Sequence, residues 1–159
     1  MAASFLLLMS PSIVSRLAIA LLAFFTTLGL AADTRSTNTV RVAAAQAARR
    51  IVDFRLGPTE ALAAVEKHLG ELERVVARAG EAKCDALVLP EDTPGLLNWV
   101  GANEARRKDV LPKAVARMME RLGSAAARHH MYLVVCSDSV ERDGGTYNTA
   151  FLLGRDGKE

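Results

Sequence analysis

The chain has 159 residues, half of them hydrophobic and 24% charged, with a net charge of +2. That length holds one domain once a leader is removed, and the balance excludes an intrinsically disordered chain. Arg16 is the only charged side chain before Asp33, so the body is near-neutral with or without a leader. Such a body offers no electrostatic case for nucleic-acid binding.

Residues 17–30 (LAIALLAFFTTLGL) are apolar and uncharged, preceded by Arg16 and followed by Ala31-Ala32. A positive charge, an apolar core and small residues in that order describe a secretory signal peptide over residues 1–32. The apolar core is short for a membrane span, which needs about 20 residues. An uncleaved anchor is the alternative, and membrane attachment is expected only in that case. The segment before Arg16 is long and itself apolar, and a start at Met9 gives a more ordinary signal. The expected location is therefore secreted, periplasmic or in the cell envelope. Residues 33–39 (DTRSTNT) read as a polar linker, with the domain over 40–159.

Residues 40–46 (VRVAAAQ) alternate weakly and begin with β-branched side chains, which predicts a first strand. Residues 59–79 carry Leu62, Val65, Leu69, Leu72, Val75 and Val76 at spacings of three and four. That is one apolar stripe on a helix, capped by Thr59 and closed by Gly80. His68 falls beside the stripe as a boundary residue. Residues 86–89 form a fully apolar second strand, expected to be central and covered on both faces. Pro90 ends it, having no N–H to donate. Residues 93–108 read as a long loop with Trp99 as its packing anchor. A second helix begins at an Asp109 cap, buries Val115, Met118, Leu122, Ala125 and Ala126, and ends at His129-His130. A third strand spans 132–136 and a fourth 147–153, joined by a turn at 141–146. A further hairpin turn, 155–158, closes the chain. The order β–α–β–α–β–β is that of an α/β layered sheet.

Glu91 is the leading site candidate. It follows a buried strand in ALVLPED (86–92), where open α/β sheets build their sites, and burial there makes a carboxylate a usable general base. The competing view is a surface acid in a turn. Asp92 is adjacent, but successive extended residues point to opposite sides, so the two make a poor carboxylate dyad. Cys136 reads as an ordinary buried small residue, with His129 and His130 at the far end of its strand. Cys84 and Cys136 read as two separate thiols, too far apart for a disulfide. No cysteine and histidine set has zinc spacing, and no phosphate cradle is present, so neither metal nor cofactor is expected.

Four stretches in order resemble the nitrilase superfamily of carbon–nitrogen hydrolases. Residues 40–46 (VRVAAAQ) look like its first strand, and 86–91 (ALVLPE) like the strand that ends in its catalytic glutamate. Residues 131–137 (MYLVVCS) resemble the strand after its second helix. Residues 147–158 (YNTAFLLGRDGK) are similar to its "YNTA…dGk" hairpin, the most specific match. The resemblance implies a four-layer αββα sandwich, of which this chain carries the N-terminal, incomplete portion. It also implies a Glu–Lys–Cys triad that hydrolyses small amides or nitriles through a thioester, in a homo-oligomer. Only Glu91 has a counterpart in that triad, as general base. Lys158 belongs to the hairpin turn, and neither Cys84 nor Cys136 inherits the nucleophile's role. The chain is thus expected to be an inactive fragment of an exported hydrolase. The alternative is a non-catalytic α/β binding or structural domain of the cell envelope; a flavodoxin-like ligand-binding domain is a third.

Overall fold

The computed structural model describes residues 39–141 and 143–159. The expected signal peptide over 1–32, and the expected linker 33–39 except its last residue, lie outside the described residues. Four strands and two long helices follow in the expected order: β1 (Val42–Ala44), α1 (Pro58–Glu81), β2 (Ala86–Val88), α2 (Leu97–Ala102), α3 (Arg107–Arg128), β3 (Tyr132–Val140) and β4 (Thr146–Leu153). One sheet is formed in the order β1-β2-β3-β4. The first three strands run parallel, and β4 returns antiparallel to β3. Val40–Glu159 make one compact unit.

The apolar stripes of the helices decide which face of the sheet is covered. In α1, Ala61, Val65, Leu69, Leu72 and Val76 are buried, while Leu62 and Val75 sit at the edge of the stripe. In α3 the buried set is Val110, Leu111, Ala114, Met118, Leu122, Ala125 and Ala126, with Val115 at the edge. The two helices pack on each other and on Leu87, Leu133, Val135 and Leu153 from the sheet. Each fully buried leucine contributes about 1.5–3 kcal/mol relative to exposure. Arg121 of α3 closes the helix pair on its outer side, with ion pairs to Glu66 at 2.7 Å and Glu73 at 2.8 Å, both on α1.

The structure departs from the sequence expectations at several element ends. Gly57, not Thr59, is the N-cap of α1, because Pro58 occupies the first helical position with its φ already set. Gly80 lies inside α1 rather than closing it; a Cβ there would strike the His129 ring, so the glycine serves close packing. Helix α3 starts at Arg107, which leaves Asp109 in its first turn and Pro112 inside the helix. The 93–108 segment is not irregular throughout: it holds α2 and a 3₁₀ turn, Glu104–Arg106. Strand β3 runs four residues past Cys136, because pairing with β4 extends it through Ser137 and Ser139. Those two serines are buried on the helix side, which erases the apolar alternation that would mark a strand.

Strand β2 is central, as its composition predicts, but it is covered on one face only. Leu87 and Leu89 are buried while Val88 is 39% exposed. Val42, Tyr132 and Leu152 are also exposed, and the strand alternation places them on that same face. Among the described residues no helix is long and apolar enough to cross a membrane.

Candidate active site

Beyond Val88 the chain leaves the sheet in a controlled way. Leu89 N–H still donates to Val134 O at 2.9 Å. Pro90 cannot donate, and the ladder resumes only at Thr93, whose N–H donates to Cys136 O at 2.8 Å. The Thr93 hydroxyl donates to Pro90 O at 2.9 Å and accepts from Cys136 N–H at 3.0 Å. Glu91 and Asp92 therefore sit in an arch between two fastened points. The arch depends on Asp92, which takes a positive φ of 52°, a conformation Asp tolerates better than most residues.

Asp92 does not act as a second carboxylate beside Glu91. Its oxygens accept from Leu96 N–H at 2.7 Å and Leu97 N–H at 3.1 Å, capping the start of α2. Burial raises its pKa, and those backbone donors oppose the rise. The loop is tied down further by His68 of α1, whose Nδ1 lies 3.0 Å from Pro94 O. Val52 N–H donates to Gly95 O at 2.8 Å. Trp99 is fully buried, and its Nε1 donates to Leu56 O at 2.9 Å. Its role as a packing anchor follows from both facts.

Glu91 is exposed, not desolvated as a buried strand end would make it. The reason is the arch: Pro90 turns the chain out of the sheet before Glu91 is reached. The Glu91 carboxylate is nonetheless held. Asn148 Nδ2, from β4, donates to Oε1 at 2.9 Å. Asn148 Oδ1 in turn accepts from Cys136 Sγ at 3.1 Å. Asp138 stands opposite Asn148 in the β3–β4 register. Burial raises the Asp138 pKa, and the charge of Glu91 adds to it. Burial likewise pushes the Cys136 thiol up, reinforced by the carboxylates of Glu91, Asp138 and Asp92.

Cys136 is half-buried, on the sheet face opposite the helices, and not part of the apolar core. No histidine bonds to it. His129 and His130 precede the start of β3, at the end far from Glu91, so a Cys–His pair does not form. Both cysteines are free thiols. Among the described residues no group of three or more His, Cys, Asp or Glu side chains could hold a metal ion.

A cleft of about 290 Å³ opens beside the arch, lined in part by Ala47, Arg49, Leu72, Pro90, Glu91 and Leu97. It joins the end of β1 to the end of β2, the place where parallel sheets take small ligands. Asn148 and Thr93 are absent from the candidates drawn from the sequence. Asn148 had a visible signal in the YNTA stretch, but its partner, 57 residues away, did not.

The family profile described as carbon-nitrogen hydrolase matches residues 41–159. No curated protein matches the chain. Among solved structures it is similar to an amidase from Nesterenkonia sp., with 22% identity over 75% of this chain and 40% of that one, at a TM-score of 0.56. A double mutant of the amidase from Nesterenkonia sp. AN1 in complex with acrylamide matches at 20% identity, with the same coverage and TM-score. A mutant of that amidase in complex with butyramide matches at 22% identity, again over 75% and 40%, at 0.56. Identities this low carry the fold alone, and the chain spans about 40% of the length of these structures. The family profile covers most of the chain: it belongs to the carbon-nitrogen hydrolases.

Proposed function

We propose that this chain carries the general base, Glu91, of an amide-hydrolysing site in an exported carbon-nitrogen hydrolase. One observation supports the role above the others. Glu91 stands at the carboxyl end of a central parallel strand, beside a cleft, with Oε1 bonded to Asn148 and no partner on Oε2 among the described residues. In this scheme Oε2 takes the proton of a nucleophilic thiol. The thiolate attacks the amide carbon, the amine leaves with a proton, and water hydrolyses the thioester. A lysine stabilises the oxyanion in the enzymes this chain resembles.

Cys136 is not that nucleophile. Its thiol is spent on Asn148 and pushed away from the thiolate form. Among the described residues no lysine pairs with Glu91. The chain by itself is therefore proposed to be inactive, with catalysis belonging to a protein that adds both groups. Amides are preferred to nitriles as substrates, because the similar structures are amidases.

The test is kinetic. Purified as 159 residues, the chain should not release ammonia from butyramide. In a longer protein that includes this stretch and turns over amides, Glu91→Gln should lower kcat by at least about 100-fold. Undiminished turnover would remove Glu91 from the mechanism. Export rests on the order of Arg16, the apolar run and Ala31-Ala32. N-terminal sequencing of the protein recovered from an exporting host should begin close to residue 33, and an intact residue 1 would refute cleavage.

A further inference from the structure

We infer that Asn148 is a positioning residue for Glu91, a strand-borne amide that holds Oε1 and leaves Oε2 as the basic oxygen. The inference rests on Glu91 being the base, and deepens that reading.

Glu91 lies on an arch and is exposed, so its backbone alone does not orient the carboxylate. Asn148 lies within β4, which is paired to β3 at every position from Leu133↔Leu153 to Val140↔Thr146. A group on that ladder is a far stiffer reference than a loop. The amide is itself held in one orientation. Nδ2 donates to Glu91 at 2.9 Å while Oδ1 accepts from the Cys136 thiol at 3.1 Å. Turning the amide over would set its oxygen against a carboxylate, two acceptors facing each other. Only a protonated thiol can donate to Oδ1, and the half-buried Cys136 among Glu91, Asp92 and Asp138 is kept in that form. A chain of contacts thus runs Cys136–Asn148–Glu91, with each donor meeting an acceptor. Thr93 fixes the backbone of the arch at both ends, so backbone and side chain have separate anchors. Asp138 faces Asn148 across the strands, and Arg49 and Arg50 line the adjoining cleft. No hydrogen bond joins any of these three to Glu91.

The experiment reads the Asn148 side-chain amide directly, by proton–nitrogen NMR on the 159-residue chain. One of its two protons should lie downfield of a free amide's. Glu91→Gln should reduce that displacement; Asp138→Asn should leave it. Cys136→Val, which removes the other anchor, should broaden the signal or move it toward the position of a free amide. A proton at the free-amide position in the wild type, or one that Glu91→Gln leaves in place, overturns the inference. In an active longer protein, Asn148→Leu should lower kcat about 10–100-fold while KM stays within about twofold. An unchanged kcat also overturns it. Failure of the base reading is seen separately, as undiminished turnover in Glu91→Gln.

Discussion

Thr93 and Cys136 exchange two hydrogen bonds across the ends of β2 and β3, one through the Thr93 backbone N–H and one through its hydroxyl. The hydroxyl takes the Cys136 N–H beyond the point where β2 leaves the ladder, and itself donates to Pro90 O. Thr93 is only 3% exposed, so an isosteric Thr93→Val would strand the Cys136 N–H and Pro90 O without partners. The expected cost is about 1–3 kcal/mol, read as a lower denaturation midpoint. Amide exchange at Cys136 should quicken as well. Wild-type stability with full protection at Cys136 would show that the arch does not depend on this hydroxyl.

Asp138 should make the fold respond to pH. Its native pKa lies above the ordinary value, through burial first and the charge of Glu91 second. The native state therefore holds this proton more tightly than the unfolded chain does. The stability that Asp138 contributes falls as the pH rises from the ordinary carboxylate range through the raised value, and is gone above it. Asp138→Asn removes that contribution, so thermal midpoint against pH should flatten over the window. Above the window the variant should melt higher than wild type. Asp92, raised by burial in the same direction, stays in both proteins. An identical slope in the two would show that Asp138 does not titrate with folding.

The same carboxylates should govern the chemistry of Cys136. With the thiol pushed up by burial and by Glu91, Asp138 and Asp92, less thiolate is present at neutral pH. In a Cys84→Ser background, iodoacetamide should alkylate Cys136 more slowly than a free cysteine at pH 8. Adding Glu91→Gln should speed the reaction, since one opposing charge is gone. Equal rates with and without Glu91 would mean that the thiol does not sense it.

Gly123 and Gly157 let helix α3 and the turn after β4 meet backbone to backbone. A Cβ on Gly123 would run into the Gly157 carbonyl, and Gly157 itself has a φ of +79°. Gly123→Ala should cost about 1–3 kcal/mol through overpacking, seen as a lower thermal midpoint. Gly101 in α2 is the control, because nothing lies within 4 Å of a Cβ placed there. Gly101→Ala should be neutral or stabilise by up to about 1 kcal/mol. Two equal losses would show that the close approach is not the cause.

The sequence alone determined the order of the four strands and two long helices, the stripes Leu69–Leu72 and Met118–Leu122, the strand ending at Pro90 and the family. Each of these is written in neighbouring residues: helical spacing, β-branched runs, a proline that cannot pair, a YNTA hairpin. The tertiary structure decided the rest. Glu91 proved exposed because the arch lifts it out of the sheet. Cys136 proved to face the Glu91 side because it alternates with Leu133 and Val135, which the helices cover. Asn148 found Glu91, 57 residues away, and Trp99 found Leu56 O, 43 residues away. His68, in the sequence a boundary residue, proved to lie against the Pro94 carbonyl. Local patterns report which face a residue lies on and nothing about which distant group lies opposite. That second fact comes only from strand register and helix packing, and the environment of Glu91 consists almost wholly of it.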